Sequence, residues 1–255
     1  MLSNSVKAQY DNGIFNHMSL GVTLGTTGIG IDVAAPLTDH FAVRAGYSFM
    51  PKISPTFDAD FHGTDDWLKK EDNSGYYSHT DIKGTLKMGD FKLLVDYYPM
   101  KSNGFHITAG AYVGNSKLVE AKSMDHFINE TYWGTAGPEL GSGSNTYTVV
   151  SDAEGVIRAD VKVNSFKPYL GIGFGRAVPK KRVACSFDMG VQFWGKPSVW
   201  TKISDDFGNE YQKVDRNRIT NDSEDAYEDI RDGIKTGEKI FVYPTLTFRI
   251  YGRIF

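Results

Sequence analysis

Six histidines stand in the 255-residue chain: His17, His40, His62, His79, His106 and His126. Hydrolytic or acyl-transfer chemistry would need one of them beside a nucleophile, oriented by a third group. They are scattered, and no Ser–His–acid set can be assembled from the pattern around them. His106 sits beside a short turn and reads as a satisfied polar histidine. The run Gly171-Ile172-Gly173-Phe174-Gly175 has the glycine density of a nucleotide loop but neither its spacing nor its strand–turn–helix setting. Asp222, Glu224, Asp225, Glu228, Asp229 and Asp232 offer oxygen ligands for calcium, yet the EF-hand spacing is absent and the segment reads as a solvated loop. Ser223 caps a short amphipathic stretch in which Tyr227 and Ile230 share a face. Cys185 is the sole cysteine, so an intrachain disulfide and a thiolate cluster are excluded. Net charge is −3, without the basic surplus of a nucleic-acid binder. The residues therefore name no catalytic group, no metal site and no cofactor.

The elements that hold these residues are strands. Residues 182–195 read RVACSFDMGVQFWG: Val183, Cys185, Phe187, Met189, Val191 and Phe193 alternate with Ala184, Ser186, Asp188, Gly190 and Gln192. Seven further segments alternate in the same way. They begin at Met18, Ile29, Phe41, within 80–98 (clearest from Phe91), and at Phe105, Phe166 and near 240. Pro168 and Pro244 predict a bulge or local irregularity, since each removes a ladder donor. Aromatics make up 13% of the chain and Gly 27 residues, which suits an all-β protein. Links after the second, fourth and sixth segments are short, whereas 50–79, 118–156 and 195–239 are long. Short and long links in alternation predict an eight-stranded antiparallel up-and-down transmembrane β-barrel, with short periplasmic turns and long extracellular loops. The expected division is a flexible segment over 1–16 and one barrel domain over 17–255. Residues 1–16 lack the apolar stretch of a signal peptide, so location is argued from the fold alone.

The polar parity decides which face meets water. A soluble exterior would be dense in Lys and Glu. Here it is Gly, Ser and Thr with scattered charges, as a crowded interior requires. Lipid therefore belongs on the apolar parity, with Val183, Cys185, Phe187, Met189, Val191 and Phe193 facing it. The predicted lumen network is Asp32, Arg44, Lys92, Asp96, Asp188, Gln192 and Arg249, with His106 and Arg253 on the same parity. Eight strands leave a lumen about filled by side chains, so these charges read as a plug rather than an ion path. The inward glycines near 171–175 are expected to make room for Tyr112 or Arg44. Tyr97, Tyr98, Phe105, Phe166 and Tyr169 near the short turns, and Phe49, Trp194 and Trp200 near the long links, predict two interfacial girdles.

Four stretches carry a resemblance: FKLLVDYYPMKSNGFHITAGAYVG (91–114), FKPYLGIGFGRAVPKKRVACSFDMGVQFWGKPSV (166–199), YPTLTFRIYGRIF (243–255) and GIGIDVAAPLTDHFAVRAGYSFMP (28–51). Together they resemble small outer-membrane β-barrel proteins of Bacteroidetes. The resemblance implies a bacterial outer-membrane location and an eight-strand barrel, and supplies no catalytic residue or ligand. The expected partners are outer-membrane lipid, the barrel-assembly machinery, which reads a terminal aromatic such as Phe255, and an unknown extracellular partner for loops 118–156 and 195–239. The function expected is structural or surface-interacting, without enzymatic activity. Three alternatives stay open: a narrow pore or carrier for small solutes, a lipid A-modifying enzyme, and a soluble ligand-binding barrel.

Overall fold

In the computed structural model the described residues are 17–60, 66–71, 75–76, 79–140, 147–205, 208–215, 235–236, 239 and 241–254. The segment 1–16, the helix expected after Ser223, the acidic cluster and Phe255 lie outside them.

Eight strands close into a barrel: β1 Ser19–Gly25, β2 Gly28–Pro36, β3 Phe41–Phe49, β4 Gly89–Tyr97, β5 Phe105–Gly114, β6 Phe166–Phe174, β7 Val183–Phe193 and β8 Val242–Arg253. Each pairs antiparallel with its neighbours in sequence, and β8 returns to β1 with Ser19 opposite Arg253 and Gly25 opposite Thr247. Closure removes the unpaired edges that an open sheet would present, and it satisfies backbone groups without water. The turn between β1 and β2 needs glycine. Gly28 has φ 92°, and a Cβ there would lie 2.1 Å from the Phe49 carbonyl oxygen.

The strand faces sort as the alternation predicts. Leu20, Val22, Ile31, Leu93, Leu170, Val183 and Ile250 are exposed on the outside, Val183 at 63%. Asp188, Asp32 and Arg249 point inward and are buried. A soluble barrel would invert this arrangement. A nine-residue strand rises ~30 Å, or roughly 23 Å when tilted as barrel strands are, close to the ~25 Å apolar band of membrane barrels. No helix among the described residues is long and apolar enough to cross a membrane, which has no bearing on strands.

Two expectations are corrected. The prolines cause no bulge, because the register runs unbroken through Pro168 opposite Ala111 and Pro244 opposite Val191. Pro244 lies beyond the end of the β1 ladder, and its carbonyl accepts from the Thr26 hydroxyl on that open side. Its missing N–H therefore takes no bond from the ladder. The long links are also not plain loops. Strands within them (Thr56–Asp60, His79–Leu86, Lys117–Ser123, Arg158–Lys162, Ser198–Asp205 and Gly208–Lys213) form most of a second sheet above the barrel. The β3–β4, β5–β6 and β7–β8 hairpins thus continue past the apolar belt.

Candidate functional site: the charged lumen and its two lids

Three ion-paired groups lie inside the barrel. Arg44, on β3, reaches Asp96 at 2.8 Å, Asp188 at 2.8 Å and the Thr108 hydroxyl at 3.2 Å, while Thr108 donates to Asp96 at 2.7 Å. His106 Nε2 stands 2.9 Å from Asp188, and its Nδ1 stands 3.0 Å from the Gly104 carbonyl. Arg249 Nε donates to Asp32 at 2.5 Å, and the other Asp32 oxygen lies 3.1 Å from Lys92 Nζ. Nearer the long-link end, Lys167 donates to Asp90 at 2.6 Å and to the Asn115 carbonyl at 3.1 Å. Among the described residues the buried lumen charges are Arg44, Lys92, Lys167 and Arg249 against Asp32, Asp90, Asp96 and Asp188. The signs balance, as a confined low-dielectric space requires.

Glycines make these contacts possible. Gly173 is in register with His106 on one side and Asp188 on the other, so the two side chains meet over the intervening β6. A Cβ at Gly173 would lie 2.5 Å from His106 Nε2 and 2.7 Å from Asp188. Gly46 stands in register between Asp32 and Lys92 in the same way. Gly21 is opposite Asp32 and leaves space for Arg249, whose Nε would be 2.7 Å from a Cβ there. Gly171 and Gly190 both clear the hydroxyl of Tyr169. Gly171 thus serves Tyr169, Gly173 the His106–Asp188 pair and Gly175 the approach of Ser186, rather than Tyr112 or Arg44 as expected. Gly171 and Gly173 lie inside a strand and cradle no phosphate.

Side chains pack together at both ends of the barrel. At the short-turn end the β6–β7 turn folds inward. The Ala177 carbonyl accepts from Arg249 at 2.9 Å and from Ser19 at 2.7 Å, and its N–H donates to the Tyr98 hydroxyl at 2.7 Å. Ala34, Ala42, Tyr98 and Ala177 pack together there. At the long-link end Met88, Val163 and Trp194 pack with Met50, Leu86, Leu118 and Tyr243. Trp194 stacks on Tyr243 at 4.3 Å and donates to Gln192 at 2.9 Å.

All seven residues named for the lumen network are buried inside: Asp32, Arg44, Lys92, Asp96, Asp188, Gln192 and Arg249. Arg253 is not, because it ends β8 at the rim and is exposed. On β7, Val183, Cys185, Phe187, Met189 and Phe193 are exposed outward and Val191 is half-buried. Tyr112 is interior as expected, Asp90, Lys167, Thr108 and Tyr251 join it without having been singled out, and Tyr98 and Tyr169 join it from the girdles to which they were assigned. Their parity was the available signal. The girdles also shift. Tyr98, Tyr169 and Trp194 are interior side chains, and Phe166 belongs to the long-link end, where β6 begins. At the short-turn rim Phe41 meets Tyr97 at 5.1 Å and Phe105 meets Phe174 at 5.4 Å. Near the other rim Phe49, Phe91, Phe166 and Phe193 are exposed, with Tyr47 4.8 Å from Phe91.

Chemically the interior holds charge pairs. Both ring nitrogens of His106 face acceptors, so neither is free to take a proton from a nucleophile. Among the described residues no group of three or more His, Cys, Asp or Glu is placed to hold a metal ion. In the second sheet Glu120 accepts from Lys87 and is held below the ordinary glutamate range chiefly by that bond. Lys117 is raised first by its hydrogen bond to Asp160. Tyr211 is raised by burial and by its bond to the same carboxylate.

A closed antiparallel barrel, oily outside and charged within, is the architecture of a membrane-spanning β-barrel. No protein-family model matches the chain, and no curated protein matches it. Among solved structures it is similar to CarO of Acinetobacter baumannii, with 18% identity over 92% of this chain and 96% of that one, at TM-score 0.45. CarO2 of the same organism gives 14% identity over 94% and 99%, at TM-score 0.48. A major outer membrane protein from Thermus thermophilus gives 15% over 93% and 98%, at TM-score 0.38. Similarity at this level transfers no function, ligand or location to this chain.

Proposed function

We propose that this is an integral outer-membrane β-barrel with a structural or surface-interaction role, a lumen plugged by polar side chains, and no enzymatic activity. It is of the kind its sequence resembles, the small outer-membrane barrels of Bacteroidetes. The short turns face the periplasm, and the second sheet stands outside the cell. The observation that carries the reading is the lumen: its charges are paired at 2.5–3.1 Å and side chains pack together at both ends. An ion would have to displace an Asp or Arg from its partner, which is expensive in a dry interior. The exposed second sheet is then the part available to a partner.

Membrane fractionation with heat-modifiable gel migration tests the location. The protein should fractionate with outer membrane and shift on boiling. Planar-bilayer recording tests the plug, with no discrete current steps expected. Regular steps from purified folded protein would replace the plug with the narrow pore. Lipid A of unchanged mass in cells with and without the protein is expected, whereas a mass difference would support the lipid-modifying alternative.

A further inference from the structure

The second sheet does not run all the way round. Thr56–Asp60, His79–Leu86, Lys117–Ser123, Arg158–Lys162 and Ser198–Asp205 extend β3, β4, β5, β6 and β7, and Gly208–Lys213 pairs outside the last of them. Among the described residues no strand stands above β1 and β2. That hairpin turns back at Gly25–Gly28, level with Phe49 of β3. The wall therefore has a slot of two strand widths, ~10 Å. One side of the slot is the strand Thr56–Asp60, which pairs only with His79–Leu86.

The Ile53 and Pro55 carbonyls accept from Leu86 at 3.0 Å and Gly84 at 2.9 Å. Backbone groups alternate sides along an antiparallel strand, so Thr56 and Asp58 turn their N–H and C=O groups into the slot. Among the described residues no backbone group meets them there. An unpaired edge of this kind accepts a further strand. Its side chains are of two kinds. On the inner face Ile53 bridges to Leu86 and Phe57 stands opposite Ile82, yet they are 52% and 60% exposed. Phe57 lies eight residues beyond Phe49, ~20 Å along the barrel axis once tilt is included, past the ~5–8 Å of the headgroup layer. Lipid therefore does not cover it. On the outer face the exposed Asp58 is directly opposite Asp81, whose N–H donates to the Asp125 carboxylate at 3.2 Å. Like charges opposed across a pair repel, and a cation on a third strand would relieve them. Lys83 is opposite Thr56, which confines the acidic spot to the row of Asp58.

We propose that the slot beside Thr56–Asp60 docks an extended segment of a partner protein. The segment pairs antiparallel with this edge, rests apolar side chains on Ile53 and Phe57, and places Lys or Arg opposite Asp58. Main-chain hydrogen bonds supply the hold and the alternating side chains supply the choice of partner. A second copy of this chain is the wrong occupant. Two barrels inserted the same way in one membrane run these edges in the same direction and bring Asp58 toward Asp58, so neither antiparallel pairing nor charge favours them. The inference deepens the surface-interaction role proposed above and rests on it.

The test uses the full chain folded in detergent and a fluorescent heptapeptide, Ser-Val-Thr-Val-Lys-Val-Thr, with anisotropy as the readout. The peptide should bind. Methylating the backbone nitrogens of its Thr and Lys residues, which face the edge, removes the main-chain donors and should weaken binding at least ~10-fold. Methylating the Val nitrogens, which face away, should change it less than ~3-fold. Asp58→Lys should weaken the Lys peptide at least ~3-fold and favour the same peptide with Glu in place of Lys. Thr56→Pro removes one edge donor without touching the ladder to His79–Leu86 and should also weaken binding. Absence of binding, equal binding of the two methylated peptides, or an unchanged charge preference in Asp58→Lys would each overturn the proposal. A heat-shift gel on every variant separates the two failures. A lost shift in wild type sinks the barrel reading, whereas an intact shift with equal binding of the methylated peptides sinks only the docking edge. If Thr56→Pro does not fold, the two methylated peptides on wild type carry the comparison.

Discussion

Arg249 Nε lies 2.5 Å from Asp32 Oδ1, with both side chains fully buried, although 217 residues separate them in the chain. The pair closes the barrel chemically where β8 meets β1 and β2. Its partners extend it: Ser19 and the Ala177 carbonyl on Arg249, Lys92 on Asp32. Tyr251 lies under the guanidinium at 4.0 Å.

Arg249→Met leaves Asp32 with Lys92 alone and leaves the Ala177 carbonyl without that donor. Removing one partner from a buried ion pair costs roughly 3–5 kcal/mol. Urea unfolding of the folded protein in detergent should show a loss of that size. A loss below ~1 kcal/mol would mean that water already reaches the pair.

Gly46→Ala should be costly even though alanine is small. Its Cβ would lie 2.3 Å from the Ile31 carbonyl oxygen and 2.5 Å from Asp32 Cβ. Backbone must move, and overpacking of this kind costs about 1–3 kcal/mol. Unfolding midpoints in urea check it, with Ala45→Gly as a neighbouring control.

Much of this arrangement was readable from parity. Asp32, Arg44, Asp188 and Arg249 announce their side of the sheet by alternating with aliphatic neighbours. Which of them meet is not readable in that way. Asp188 finds His106 because Gly173 falls in register between them, and register between strands 82 residues apart depends on the turn geometry of the closed barrel. The second sheet was hidden for a related reason. Its strands are short, with Lys, Glu and Asp on one face and Val, Ala and Gly on the other, and the Lys117–Val119 step breaks the register. Period alone could not connect such fragments to the hairpins below.

Leu93→Lys places a charge near the middle of the outer face, on a side chain that is 60% exposed. At the bilayer midplane this costs ~2–4 kcal/mol. On the surface of a soluble protein it would be close to neutral. Folding titrations into lipid vesicles should show the penalty, and Leu93→Val should show little of it.

Acid should loosen the second sheet. Glu120 is held below the ordinary glutamate range, first by its hydrogen bond from Lys87. A depressed carboxylate contributes stability that is present above its unfolded pKa, ~4.3, and lost as pH falls through the lower folded value. Amide exchange in Lys117–Ser123, corrected for the intrinsic pH dependence, should be steady from pH 7 to about 5 and should rise below about 4.3. Lys87→Gln should abolish most of that dependence.

The protein carries its own probe of orientation, because Cys185 is its sole cysteine and is exposed on the outer face of β7. A nitroxide attached there, with the protein folded into lipid vesicles, can be relaxed by oxygen, which concentrates in hydrocarbon, or by a nickel chelate, which stays in water. Strong relaxation by oxygen and weak relaxation by nickel is the result predicted for a barrel with lipid outside and charges within. Nickel prevailing over oxygen at Cys185 would contradict it.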